Sequence, residues 1–157
     1  MGCWAITTPF AWSPVSRKWE FAYYSMSANR SPRGGESIYL ASIDDAHYYR
    51  VDNIEKAASA IPPDAFSILL SHIPEVYRHA AHAGFDLLLS GHTHGGQICL
   101  PGSIPITLSS VLPRRFGSGA WKYHDMVGYT SVGAGSSIVA VRINCLPEIT
   151  LHHLQCC

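Results

Sequence analysis

The chain has 157 residues, 47% of them apolar, which suits one globular domain with its own core. Eleven Lys plus Arg balance eleven Asp plus Glu, so the basic excess that a nucleic-acid surface needs is absent. Charged residues reach only 14%, below the ~25% of ordinary soluble domains; a surface covered by another subunit is expected, and a homo-oligomer with it.

No apolar run approaches the ~20 residues of a membrane helix. Residues 1–19 lack the charged start and apolar stretch of a secretory signal. Cys3, Cys99, Cys145, Cys156 and Cys157 include no C-x-x-C pair, so a reducing compartment, the cytoplasm, is expected. Residues 1–32 carry aromatic clusters (Trp4, Phe10, Trp12, Trp19, Phe21) among Ser and Pro with no period of 2 or 3.6. They are expected to be an irregular segment, and 33–157 a separate unit.

From Arg33 the pattern becomes regular. Arg33-Gly34-Gly35-Glu36 reads as a hairpin turn, and 38–43 as a short strand. Val51, Ile54, Ala57, Ala58 and Ile61 have helical spacing over 51–60, with Asp52 or Asn53 as cap. The apolar runs at 66–70 and 85–89 predict strands buried on both faces. Between them, 75–83 predicts a helix that begins at Pro74 and stops at Gly84. Alternating strands and helices define an α/β class. Residues 97–100 predict a short strand, 101–126 a long loop rich in Pro, Gly and Ser, and 126–131, 137–143 and 149–154 three antiparallel strands.

Histidines stand at the ends of both buried strands: Ser71-His72 after the first, and Gly91-His92-Thr93-His94-Gly95-Gly96-Gln97 after the second. The C-terminal ends of adjacent strands meet at one crevice, the usual location of a site in an α/β sheet. His-x-His on an extended turn can aim two imidazoles at neighbouring ions, and the glycines allow close backbone approach. His72, His92 and His94 are therefore the candidate metal ligands.

The stretch ILLSHIPEVYRHAAHAGFDLLLSGHTHGGQICLPG and the tail GYTSVGAGSSIVAVRINCLPEIT resemble the C-terminal half of the calcineurin-like metallophosphoesterases, in particular a bacterial phosphoesterase and phosphodiesterase group. The resemblance covers roughly residues 33–155. It implies a β-sandwich flanked by helices, of which this chain would hold an incomplete part. It also implies two divalent transition metal ions (Mn, Fe or Zn), with His72 and His92 on one and His94 on the other, and one or two ions bound here. The implied activity is hydrolysis of a small phosphate ester, phosphodiester or activated phosphomonoester, by a metal-activated water.

The N-terminal half of that family supplies Asp-x-His, Gly-Asp and Gly-Asn-His motifs, and none precedes residue 33 here. Impaired activity is the expectation. A non-catalytic metal-binding remnant or subunit, or a metal-dependent hydrolase of other esters, remain the alternatives. Asp45-Ala46-His47 spells Asp-x-His but reads more simply as a loop. Gly2-Cys3-Trp4-Ala5-Ile6-Thr7-Thr8, reverse-translated with suitable codons and read out of phase, spells Leu-Gly-Asn-His-Asp. Residues 1 to near Arg30 are accordingly expected to be an out-of-frame translation.

His79 and His82 share a helix face and read as solvated. Arg114-Arg115 reads as a surface pair and Glu148 as structural. Neither a Gly-x-Ser-x-Gly elbow nor a Lys-Ser/Thr phosphate loop is present.

Overall fold

A computed structural model describes residues 4–7, 28–33, 36–43 and 53–156. Its centre is a six-stranded mixed sheet built from β2 (Ala28–Arg33), β3 (Glu36–Ser42), β4 (Phe66–Leu70), β5 (Leu87–Ser90), β8 (Gly119–Tyr123) and β9 (Met126–Thr130). The spatial order is β2-β3-β4-β5-β9-β8. The four central strands β3, β4, β5 and β9 run parallel, and antiparallel β2 and β8 close the two edges. The apolar runs of β4 and β5 thus occupy the centre of a parallel sheet, where both faces are covered and continuous leucine sequences are stable. Leu69, Leu87 and Leu88 are fully buried.

Two short helices cross between the parallel strands. Helix α1 (Ile54–Ala58) is capped by Asn53, whose Oδ1 accepts from Lys56 N at 2.7 Å. Helix α2 (Tyr77–His82) follows a 3-10 turn at Pro74–Val76. Ala57, Val76, Tyr77 and Ala80 pack into the principal core with Phe85, Phe116 and Trp121. Trp121 lies edge-on to Phe116, with ring centroids 5.0 Å apart. Its indole Nε1 donates to Thr130 Oγ1 at 2.9 Å, and that hydroxyl donates to Phe116 O at 2.7 Å.

Several elements differ from the sequence reading. The expected loop at 101–126 contains β7 (Ile104–Pro105), paired with β6 (Cys99–Leu100), and the edge strand β8. Of β8 only Trp121 is fully within the core, with Tyr123 packed against it from the strand's end, so the strand has no run of buried apolar residues to announce it. The expected strand 137–143 is absent among the described residues; Ile143 alone makes a parallel bridge, to Ile98. Ser137 N instead donates to the Gln97 side chain at 2.6 Å, and Ile138 adopts φ +63°, which breaks the extended run. Of 149–154 only the end is a strand, β10 (His153–Cys156), paired with β1 (Trp4–Thr7). Strand β1, and all of β2 but Arg33, fall inside the stretch 1–32 expected to be irregular. Their pairing is supplied by partner strands rather than by an apolar period of their own. Arg33 lies opposite Glu36, as the hairpin reading requires. Among the described residues no helix is long and apolar enough to cross a membrane.

Candidate metal centre

Strand β4 ends at Leu70 and β5 at Ser90, side by side in the sheet. The pairing continues past their ends: Ser71 N donates to Leu89 O at 3.1 Å, and Gly91 N to His72 O at 3.2 Å. This register carries His72 and His92 to one point. His92 Nδ1 and His72 Nε2 lie 2.9 Å apart, with ring centroids at 4.7 Å and planes at 70°. His72 is exposed and His92 half-buried.

The turn after β5 is held in an uncommon shape. His92, His94 and Gln97 have φ of +68°, +50° and +58°. Side chains other than glycine seldom adopt this region, and such residues concentrate at functional sites. Five side chains fasten the turn and offset the strain. The buried Thr93 hydroxyl donates to Gly117 O at 2.6 Å and accepts from Gly95 N at 3.2 Å. Gln97, also buried, donates through Nε2 to Ser137 O and Val139 O at 3.0 and 2.9 Å. Arg142 Nη1 donates to His94 O at 3.4 Å, while Nη2 reaches the carbonyls of Val132 and Gly133 and donates to Gly135 O. Cys145 Sγ donates to His94 O and Cys99 Sγ to Gly95 O, each at 3.3 Å. Burial, and then the neighbouring Cys145, push the Cys99 thiol above its ordinary pKa.

Gly96 marks the tightest point of the turn. A β-carbon there would stand 2.5 Å from Pro105 Cβ and 2.6 Å from Thr107 O.

Two imidazole nitrogens bound to one ion at about 2.1 Å lie about 3.4 Å apart in a tetrahedral shell and about 3.0 Å apart where the bonds meet at a right angle. At 2.9 Å His72 Nε2 and His92 Nδ1 are hydrogen-bonded to each other, one carrying the proton and the other accepting it; once that proton is lost, the two nitrogens are near enough to share one ion. His94 Nδ1 faces Arg142 Nη2 at 3.5 Å. No group of three His, Cys, Asp or Glu converges among the described residues, so the pair fits two positions of a metal shell and the described residues do not complete it. Asp45-Ala46-His47 lies outside the described residues.

The other singled-out residues are surface or scaffold groups. His79 and His82 are exposed on α2. Arg115 lies over the Phe116 ring, 4.7 Å from its centroid. Glu148 Oε1 accepts from Tyr129 OH at 3.0 Å, from Thr150 Oγ1 at 3.2 Å and from Val132 N at 3.3 Å. Sequence reasoning missed Arg142 and the staple role of Gln97. Gln97 is part of the Gly-His-Thr-His-Gly-Gly-Gln run and could have been suspected there; nothing in the sequence around Arg142 singles it out.

No family profile and no solved structure matches the chain significantly. Curated relatives do. The chain is 34% identical over 121 residues to the uncharacterized metallophosphoesterase YkuE of Bacillus subtilis, which covers 77% of the chain and 42% of that protein. The phosphodiesterase YaeI of Escherichia coli is 33% identical over 87 residues, 55% of the chain and 32% of the relative. A transmembrane protein with metallophosphoesterase domain from Bos taurus is 34% identical over 128 residues, 75% of the chain and 28% of the relative. The chain belongs to the metallophosphoesterase family. It spans about two fifths of the length of the Bacillus metallophosphoesterases it matches. Use of divalent metal ions is general among metallophosphoesterases.

Proposed function

We propose that the chain carries the histidine side of a metal-dependent phosphoesterase, acting on a small phosphodiester or an activated phosphomonoester. The observation that carries this reading is the meeting of His72 Nε2 and His92 Nδ1 at 2.9 Å, at the ends of adjacent parallel strands. His72 and His92 would hold one Mn, Fe or Zn ion, and His94 a second. A bound ion supplies Lewis acidity and an acidified water.

The residues of the chain then divide the work. His72 and His92 bind through Nε2 and Nδ1. Thr93 and Gln97 orient the turn. Arg142 can only donate, so while it faces His94 Nδ1 the neutral imidazole carries its proton on Nε2 and can give a hydrogen bond to a phosphoryl oxygen. Ligation by His94 requires that the ring exchange its Arg142 contact for the ion, and a contact as long as 3.5 Å is weak enough to exchange. Remaining ligands must come from outside the described residues, and the second sheet of a family-type sandwich is where we place them.

Exposed Leu146, Ile149 and Leu151 give 146–151 an apolar surface that a second copy of the chain would cover. Free Cys99 and Cys145 suit a reducing compartment such as the cytoplasm.

The test is metal analysis together with hydrolysis of bis-p-nitrophenyl phosphate by the full chain and its His92→Ala and His94→Ala variants. Bound metal and turnover, both lost in the variants, are expected. A chain that retains no transition metal refutes the reading. Bound metal without turnover supports the second reading, a metal-binding subunit without catalysis, which the incomplete set of described ligands favours.

A further inference from the structure

Beside the histidine turn the surface folds into a cavity of about 390 Å³, within the range of small-ligand pockets. His94 lines it and His72 and His92 do not, so it borders the candidate metal centre on the His94 side. Ile98, Ile106, Ile138 and Val139 line it as well, from three separate stretches of chain. Thr107, Ser109 and Ser137 add hydroxyl-bearing residues between them, but no Lys, Arg, Asp or Glu lines it, so it offers no counter-charge to a second phosphate, a carboxylate or an amine. Ile106, Ile138 and Val139 are exposed. Singly exposed aliphatic residues are ordinary, but several grouped around one concavity mark a binding surface.

The apolar wall is fastened to the turn. Gln97 holds Ser137 and Val139 through three hydrogen bonds of 2.6–3.0 Å. A ligand seated against Ile138 and Val139 is therefore held in fixed relation to His94.

We propose that this cavity receives the apolar ester group, alkyl or aryl, of a phosphoester whose phosphate lies at the histidines. The proposal rests on the phosphoesterase reading above and narrows its substrate class. The four aliphatic side chains reward methylene and ring surface removed from water, and a charged substituent finds no counter-charge among the lining residues.

Equilibrium binding of methylphosphonate, n-hexylphosphonate and phenylphosphonate to the full chain with Mn(II) tests it by calorimetry, without turnover. Hexyl and phenyl are expected to bind at least tenfold more tightly than methyl. Ile106→Asp and Val139→Asp, both at exposed positions that leave the core untouched, are expected to abolish that preference while methyl affinity stays within twofold. Equal affinities for the three ligands, a preference that survives both substitutions, or no binding of any of them overturns the proposal. A hexyl preference in a chain that hydrolyses nothing refutes catalysis and leaves the cavity assignment standing. Turnover without the preference refutes the cavity assignment alone.

Discussion

Replacing Gly96 by Ala separates two costs that the histidine turn imposes on its backbone. Gly96 has φ +84°, and its β-carbon would overlap Pro105 Cβ at 2.5 Å and Thr107 O at 2.6 Å. The left-handed conformation costs an L-residue about 1–2 kcal/mol. Forcing a methyl into a packed site costs about 1–3 kcal/mol more. Gly84 provides the control: its φ is +86°, but nothing lies within 4 Å of its missing β-carbon. Gly84→Ala should therefore lose only the backbone share, and Gly96→Ala about 2 kcal/mol beyond it. For a domain of this size that difference corresponds to roughly 4–8 °C in Tm. Urea unfolding followed by tryptophan fluorescence measures both variants against the parent. Equal losses at the two glycines would show that the contact with Pro105 and Thr107 relaxes freely, and the close packing argued for the turn would then be wrong.

Thr130→Val leaves the Trp121 indole N–H and the Phe116 carbonyl without their shared hydroxyl; at about 1–3 kcal/mol for each buried orphan, a loss near 3 kcal/mol is expected in denaturant unfolding, and Thr130→Ser should recover most of it. Burial holds His152 below its ordinary pKa of 6.5, partly countered by the Glu148 carboxylate. The unfolded chain consequently binds more protons than the folded one between the lowered value and 6.5, so this residue makes stability rise with pH in that window and fall as acid is added. His152→Gln should flatten that slope in urea midpoints measured across the histidine range. Chelation should abolish phosphodiester hydrolysis and Mn, Fe or Zn restore it, and His72→Ala should weaken metal binding by at least the ~10–100-fold seen on loss of an outer-shell partner, as read by equilibrium dialysis.

Much of the parallel sheet was legible because burial on both faces forces an apolar run. β4 matches its expected residues, and β5 overlaps the expected 85–89, starting two residues later and ending one residue later. Helix α1 is shorter than the 51–60 expected, with residues 51–52 outside the described set, but its cap falls on Asn53 as anticipated. What escaped the sequence is structure whose stability comes from elsewhere. Strand β8 is held by its pairing with β9 and by one buried tryptophan. The expected strand at 137–143 failed because alternation of Val139, Val141 and Ile143 predicts a face, not a partner, and the nearest hydrogen-bonding groups belong to Gln97. At the centre, the strand-end rule located the convergence of His72 and His92. It could not foresee that His94, two residues on, meets an arginine from the distant tail, since such a contact leaves no local trace.

The place of β9 bears on how the molecule is made. β5 leaves the sheet at Ser90, yet its lateral neighbour begins only at Met126, and Ser90 stands opposite Thr130. Until residue 130 has emerged during synthesis, the leucines of β5 have an unsatisfied flank, and closing so long an excursion delays the pairing. A nascent chain of this kind passes through a sticky, half-built stage, and a pause in translation before residue 126 would prolong its exposure to aggregation.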